Sequence, residues 1–321
     1  MHVFHSLPSQ PPPSPTLLTI GNFDGVHLGH RALIEAMVRA ARGNNRRAGL
    51  PAPRQAGLLT FDPHPLAVLA PERPLAFLTS PEERLELLGA CGLDFVVIQR
   101  FTLATARTPA REFVSALRQR LRLAELWVGP DFALGQRQEG DIAALQTLGE
   151  ELGFEVHVVQ PFCLEGQSVR STRIRTLLQQ GSVHEAAGLL GRPYRLCGQV
   201  VPGAGRGRTL GFPTVNLEIE PGRVLPGDGI YAGWVQVGGK QYAAAINLGM
   251  RPTFGTDGPQ HTVEAYLLDF EGQLYGQTVG LTFVERLRPE LRFESADELI
   301  EQIARDVAAT RHALGAAKRG T

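Results

Sequence analysis

Short apolar runs alternate with amphipathic stretches up to about residue 190 of the chain. The runs predict five strands, and the stretches between them repeat apolar residues at helical spacing. The predicted strands are 17–20, 57–61, 95–98, 126–128 and 156–159, and the predicted helices are 30–42, 81–88, 109–121, 141–152 and 171–180. This alternation is typical of right-handed βαβ units that build a parallel sheet with helices on both faces.

The pattern changes from Tyr194 onward, where short strands are separated by closely spaced glycines. The strands predicted here are 195–201, 229–237, 241–248, 262–268 and 278–287, and a short helix at 183–190 precedes them. Close spacing with turn residues indicates an antiparallel β-barrel. A last amphipathic helix begins at Ser295. We therefore predict two domains, residues 1–183 and residues 184–321.

The decapeptide from Gly21 to His30 joins the first predicted strand to the first predicted helix. Open α/β sheets bind their ligands at such strand-to-helix turns, and glycines allow a ligand to approach the backbone closely. His27 and His30 lie three residues apart at a helix N-terminus, which favours an anion. The pattern predicts a nucleotide-phosphate site made by the residues Gly21, Asn22, Phe23, Asp24, Gly25, His27 and His30.

Two other interpretations apply to the same decapeptide. The glycines are compatible with a simple turn, and the Asp24, His27 and His30 series is compatible with a metal site. A metal site is less favoured because the loop offers no obvious further ligand and no cysteine lies nearby.

Three further segments follow predicted strands, at the sheet edge where ligands bind. Asp62 lies in a proline-fixed loop at 60–65, for which ligand contact and a rigid turn are equally good interpretations. Asp131 lies in the segment 129–135. In Ser171-Thr172-Arg-Ile-Arg175, hydroxyls at the first helical turn and an arginine one turn later predict phosphate binding.

The second half contains a glycine-rich segment, residues 203–217, which lacks the ending of a P-loop. Thr214 and Asn216 lie two residues apart in this segment, so in an extended chain they share one face. Their neutral oxygens suit a hard cation such as Mg²⁺ carried by ATP.

These motifs resemble those of the bacterial bifunctional riboflavin kinase/FAD synthetase family. GNFDGVHLGH is similar to the family's form of the HxGH signature of nucleotidylyltransferases, and GRTLGFPTVN is similar to the kinase signature GRxLGFPTAN, with Val215 in place of Ala. Residues 129–135 resemble GxDFxFG, with Leu134 replacing Phe, and residues 170–175 resemble SSTxIR, with Arg170 at the first Ser. The resemblance runs through almost the whole chain from Leu17.

The resemblance implies a Rossmann-like nucleotidylyltransferase domain followed by a riboflavin kinase-like barrel with a terminal helix. It implies that ATP and Mg²⁺ phosphorylate riboflavin to FMN, and that FMN is then adenylylated to FAD. His27 and His30 would stabilise the adenylyl-transfer transition state, and Ser171, Thr172 and Arg175 would bind the triphosphate. The resemblance also implies flavin or substrate contacts in the first domain at Asp62 and Asp131, and ATP or flavin contacts in the second at Gly203, Arg208, Gly211, Thr214, Asn216 and Arg292, with Glu264 as the kinase base.

Composition limits the remaining functional classes. The 321 residues include 32 basic and 32 acidic side chains, so no broad electrostatic field attracts nucleic acid or a membrane. The three dispersed cysteines and the lack of a signal-peptide pattern favour the cytoplasm. We expect a monomer or weak homo-oligomer. Two alternatives remain, a nucleotidylyltransferase for another acceptor and a flavin-binding protein without catalysis. The kinase-like segment argues against the first, and retention of the site residues against the second.

Overall fold

The computed structural model describes residues 1–47, 54–73, 75–203, 212–251 and 260–317. The chain divides into two compact units, Met1–Ser171 and Thr172–Thr321. The predicted domain boundary after residue 183 therefore lies later in the chain than this division.

The first unit contains a six-stranded sheet in which every pair of neighbouring strands is parallel. Its strands are β1 (His2–Phe4), β2 (Thr16–Ile20), β3 (Gln55–Asp62), β4 (Phe95–Arg100), β5 (Leu123–Val128) and β6 (Glu155–Val158), in the order β1-β4-β3-β2-β5-β6. Its helices are α1 (Leu28–Arg47), α2 (Pro65–Leu69), α3 (Pro81–Gly89), α4 (Leu103–Ala106), α5 (Ala110–Leu121) and α6 (Ile142–Leu152), and a small hairpin is formed by β7 (Cys163–Leu164) and β8 (Gln167–Ser168). The predicted Rossmann-like parallel sheet is confirmed.

The strand order reverses between β2 and β5. Strands β3 and β4 follow on one side of β2, and β6 follows on the far side of β5. The carboxyl ends of strands at such a reversal enclose the crevice in which doubly wound sheets bind nucleotides. The loop Gly21–Val26 after β2 and the segment 129–135 after β5 both begin at this point.

Both faces of the sheet are covered, which explains why its strands appear as continuous apolar runs. Leu17, Leu58 and Val96 are buried with Ile34 and Met37 of α1. On the other face, Leu18, Leu59, Val97 and Leu126 are buried with Val114 and Leu117 of α5. Two apolar cores thus hold the central strands from either side.

The second unit is a closed antiparallel barrel of six strands with helices before and after it. Its helices are α7 (Ser171–Gln179), which begins at the division, α8 (Val183–Leu190) and α9 (Ala296–Ala317). Its strands are β9 (Tyr194–Val201), β10 (Thr214–Ile219), β11 (Gly229–Val237), β12 (Lys240–Arg251), β13 (Gln260–Leu267) and β14 (Thr278–Arg288), paired in the circular order β10-β13-β12-β11-β14-β9. The predicted barrel and terminal helix are confirmed.

Alternate residues of the barrel strands form its core. The buried set includes Leu196, Val200, Leu217, Tyr231, Val235, Ile246, Val263, Leu281 and Phe283. Helix α9 is fastened to the barrel by two bidentate ion pairs, Arg288 with Asp306 and Arg311 with Asp269. Residues between the core positions face away from the core. Thr214, Asn216 and Glu264 are among them.

Candidate active sites

The loop between β2 and α1 is held in a strained conformation. Phe23, Gly25 and Val26 have φ values of 51°, 86° and 39°, in the left-handed region that glycine alone adopts readily. A non-glycine residue in this region costs on the order of 1–3 kcal/mol and persists only where surrounding contacts enforce it. Such strain concentrates at ligand sites, so the loop geometry supports a binding role.

His27 and His30 stack at the first turn of α1. Their ring centroids lie 3.6 Å apart with an interplanar angle of 16°, and Phe23 meets His30 edge-on at 5.1 Å. The backbone N–H of His30 donates to Nδ1 of His27 at 3.2 Å, so the proton of a neutral His27 ring lies on Nε2. A side chain at Gly29 would come within 3.2 Å of the His27 ring. The absence of a side chain at position 29 therefore leaves room for the His27 ring against the backbone.

The surroundings of His30 determine the protonation state of its ring. Burial lowers the pKa of His30 well below its usual range, and the adjacent His27 lowers it further. The ring is therefore neutral at pH 7 in the absence of an anion. Its Nδ1 atom is buried and has no hydrogen-bond partner. An orphaned polar atom at a helix N-terminus, in a first turn without acidic residues, is suited to an anionic group.

Asp24 has a structural role that the sequence pattern did not indicate. Its buried carboxylate accepts hydrogen bonds from the backbone N–H groups of Leu78 and Thr79, at 3.0 and 3.2 Å, and from the Thr79 hydroxyl at 3.2 Å. Thr79 Oγ1 also accepts from the Gly25 N–H at 3.1 Å. The carboxylate thereby joins the strained loop to the segment before α3.

Replacing Asp24 with Asn is expected to destabilise the first unit. The carboxamide presents an N–H₂ group to buried donors, and a buried donor left without an acceptor costs about 1–3 kcal/mol. The chain has two tryptophans, Trp127 in the first unit and Trp234 in the second. Urea unfolding followed by Trp127 fluorescence in a Trp234→Phe background measures this free energy of unfolding.

The matched control is Glu150→Gln, which neutralises an exposed carboxylate on α6 and should leave the transition unchanged. A Trp127 transition unaltered by Asp24→Asn would show that the Asp24 hydrogen bonds contribute nothing to the stability of the loop.

The structure places the other candidates of the first predicted domain in different surroundings. The Ser171 hydroxyl donates to the carbonyl of Asp24 at 3.0 Å, which joins the start of α7 to the loop. Asp131 forms an exposed ion pair with Arg170 at 2.8 Å, and Asp62 is an exposed residue at the end of β3. Thr172 and Arg175 belong to α7 beyond the unit division.

Arg84 is a buried residue that sequence reasoning missed. Its guanidinium donates to the Asn22 carbonyl at 2.9 Å, and burial lowers its pKa, an effect opposed by the charges of Asp24, Asp62 and Glu82. Arg84 belongs to α3, more than sixty residues after Asn22. Nothing in an ordinary Glu-Glu-Arg first turn marks one arginine as buried, so only the fold reveals this contact.

In the second unit, three polar side chains share one row across adjacent strands. Asn216 of β10 and Asn247 of β12 are both register partners of Glu264 in β13. Directly opposed residues project from the same face of a sheet, so the carboxylate lies between two amides. All three are half-buried, and the Oδ1 atom of Asn247 is buried without a hydrogen-bond partner. Thr214 lies two residues before Asn216, on the same face.

Close packing surrounds this row. Gly203 lies directly against the Asn216 side chain, so any larger residue at position 203 would displace the amide. Gly249 lies equally close to the Glu290 carboxylate, which brings strand β12 close to the loop after β14. Burial raises the pKa of Glu290, and the charge of Asp228 raises it further. Arg292 is exposed in the loop after β14, whereas Arg208 and Gly211 lie outside the described residues.

The two units thus combine an α/β sheet of the doubly wound type with a barrel that carries a carboxylate–amide row. A family model described as FAD synthetase matches residues 9–173, and one described as riboflavin kinase matches residues 190–314. The bifunctional riboflavin kinase/FMN adenylyltransferase of Escherichia coli (strain K12) is 40% identical over 316 residues, covering 98% of this chain and 97% of that protein. The protein of the same description from Listeria monocytogenes is 33% identical, covering 92% and 91%.

The chain belongs to the family of bifunctional riboflavin kinase/FMN adenylyltransferases. A crystal structure described as a macrolide-efflux protein from Streptococcus pneumoniae has a similar fold, with a TM-score of 0.86 and 30% identity over 96% of this chain and 98% of that one. Within the described parts of the chain, none of the helices has the length and apolar character required to cross a membrane.

Proposed function

We propose that each unit carries out one of the family's two reactions, with ATP as the phosphoryl and adenylyl donor. The barrel transfers a phosphoryl group to riboflavin, and the α/β unit transfers an adenylyl group to the resulting FMN. The neutral His30 ring with its orphaned Nδ1, stacked on His27 over a helix N-terminus, is the observation that carries the adenylyltransferase assignment.

Adenylyl transfer requires a phosphate oxygen of FMN to attack the α-phosphorus of ATP while the bond to the bridging oxygen breaks. Pyrophosphate leaves, and no covalent enzyme intermediate is required. Catalysis therefore rests on positioning and on compensation of charge on the leaving oxygens. A neutral His30 ring keeps one N–H group, which can donate a hydrogen bond to a phosphate oxygen as that charge grows. Ser171, Thr172 and Arg175 supply hydroxyl, N–H and guanidinium groups for the triphosphate.

The kinase reaction requires a base, since the terminal hydroxyl of riboflavin is a weak nucleophile. Glu264 lies between two amides, which favours a defined carboxylate orientation. Thr214 and Asn216, on one face of β10, offer neutral oxygens of the kind that suits Mg²⁺, which would neutralise phosphate charge when bound with ATP. Contacts with ATP or flavin in the barrel are assigned to Gly203, Arg208, Gly211 and Arg292. Contacts with the flavin of the other unit are assigned to Asp62 and Asp131.

The composition of the chain bears on its cellular compartment, its partners and its oligomeric state. None of the three cysteines, all within described ranges, forms a disulfide, which supports a reducing compartment such as the cytoplasm. Equal numbers of basic and acidic side chains support small-molecule substrates without nucleic acid or membrane partners. We infer a monomer or weak homo-oligomer.

A fragment of residues 172–321 is expected to convert riboflavin to FMN and to form no FAD. The Gly227 N–H donates to the carbonyl of Leu178 at 2.9 Å, so α7 is bonded to the barrel. A fragment of residues 184–321, which begins at the predicted boundary, should keep the kinase activity but unfold at a lower temperature. Chromatographic separation of the flavins measures both products.

Circular dichroism of the two fragments provides the control for folding. A folded 172–321 fragment without kinase activity would contradict the assignment of that reaction to the barrel alone, and FAD formation by it would contradict the assignment of adenylylation to the first unit.

A further inference from the structure

A cluster of potential metal ligands lies within strands β5 and β6, apart from the loops at their carboxyl ends. Glu125 is the register partner of Glu155, and Trp127 is the register partner of His157. One ligand atom from each of Glu125, Glu155 and His157 lies within 4.8 Å of the other two. Neither the adenylyltransferase nor the kinase assignment uses these side chains.

Two distances within the cluster match a coordination geometry. Nε2 of His157 lies 3.3 Å from an oxygen of Glu125 and 3.3 Å from an oxygen of Glu155. In a tetrahedral zinc site with bonds of about 2.0–2.1 Å, neighbouring donor atoms are separated by roughly 3.3–3.4 Å. The Nε2 atom is buried and makes no hydrogen bond of acceptable geometry. A buried ring nitrogen without a hydrogen-bond partner, placed between two carboxylates, points to a shared cation.

Neighbouring groups hold the cluster in place. The Trp127 ring stacks on His157 with centroids 4.6 Å apart and an angle of 20°, and its Nε1–H donates to Glu125 at 2.9 Å. The Arg54 guanidinium binds the other oxygen of the buried Glu125 carboxylate. Such outer contacts orient metal ligands. Two carboxylates and one guanidinium leave one negative charge to attract a cation.

We propose that Glu125, Glu155 and His157 bind one divalent first-row transition-metal cation, of which Zn²⁺ is the best match. An imidazole with two carboxylates suits this class better than Mg²⁺ or Ca²⁺, which prefer oxygen ligands alone. Because β6 is the last strand of the sheet and pairs only with β5 among the described strands, the cation joins an edge strand to the sheet interior. Its role is to stabilise the first unit.

The test uses Trp127 as a local reporter in the full chain carrying Trp234→Phe. Co²⁺, a coloured substitute for Zn²⁺, is titrated into chelator-treated protein, and the fluorescence of Trp127 is recorded. We expect saturable quenching that Zn²⁺ reverses. Removing a ligand should weaken Co²⁺ binding at least tenfold, since loss of even an outer contact costs about 10–100-fold. Both His157→Gln and Glu155→Gln should show this loss.

The side chain of Glu155 is 76% exposed, so Glu155→Gln is expected to fold even if His157→Gln does not. The matched controls, Glu150→Gln and His312→Gln, change exposed residues of the same types and should bind Co²⁺ like the parent. The proposal is overturned if the parent shows no Zn²⁺-reversible quenching, or if Glu155→Gln binds Co²⁺ as tightly as the controls.

Discussion

The variant Glu264→Gln is expected to phosphorylate riboflavin at least about a hundredfold more slowly than the parent chain, with little change in riboflavin affinity. The amide keeps the size of the side chain and one acceptor oxygen but takes no proton at neutral pH, and general-base catalysis contributes about 10²–10⁴-fold. Steady-state kinetics of FMN formation measures the change. FAD formation from supplied FMN should continue at the normal rate, because the residues assigned to it precede the barrel strands in the chain.

Two further variants serve as a matched control and as a test of the proposed metal ligand. Glu218→Gln changes an exposed carboxylate on the adjacent strand β10 and should leave both reactions intact. Asn216→Ala should weaken the productive complex with Mg-ATP, and added Mg²⁺ should partly restore its rate but not that of Glu264→Gln. A normal rate of riboflavin phosphorylation by Glu264→Gln would show that Glu264 is not the kinase base.

The second large effect is expected at His30. His30→Ala should slow FAD formation from FMN and ATP by about a hundredfold or more, since loss of one group that stabilises transition-state charge costs about 10²–10³-fold. Arg175→Ala should cause a similar loss, since its guanidinium is assigned to the same triphosphate. Single-turnover measurements with FMN supplied separate this step from FMN synthesis.

Riboflavin phosphorylation by these variants is the internal comparison, and His5→Ala, at an exposed position of the first unit, is the matched control. Equal losses of FMN and FAD formation in His30→Ala would mean that His30 supports the fold rather than the adenylyl-transfer transition state.

The sequence predicted the elements whose burial pattern is simple. Strand β2 is buried along its whole length, so its apolar run was recognisable, and α8 was predicted at its observed bounds. Strand β1 was missed because three residues show no period. Strand β10 was not among the predicted strands, although Val215, Leu217 and Ile219 alternate with polar residues as in a half-buried strand, because the segment was interpreted as part of a glycine-rich binding motif.

The candidate sites were predictable only as local motifs. The decapeptide indicated His27 and His30, but their stacking and the lowered pKa of His30 depend on packing around the loop. The alignment of Asn216 and Asn247 with Glu264 depends on strand register, which is a property of the closed barrel. Long-range contacts of this kind leave no periodic signal in the sequence.

The most direct test of the two-reaction account is a time course with the pure full-length chain, riboflavin and Mg-ATP. Flavins are separated at each time point, and pyrophosphate is assayed in parallel. We expect FMN to appear first and FAD to accumulate afterwards, with one pyrophosphate released for each FAD formed. A chain that binds flavin but forms neither product, or that adenylylates supplied FMN without ever phosphorylating riboflavin, would contradict this expectation.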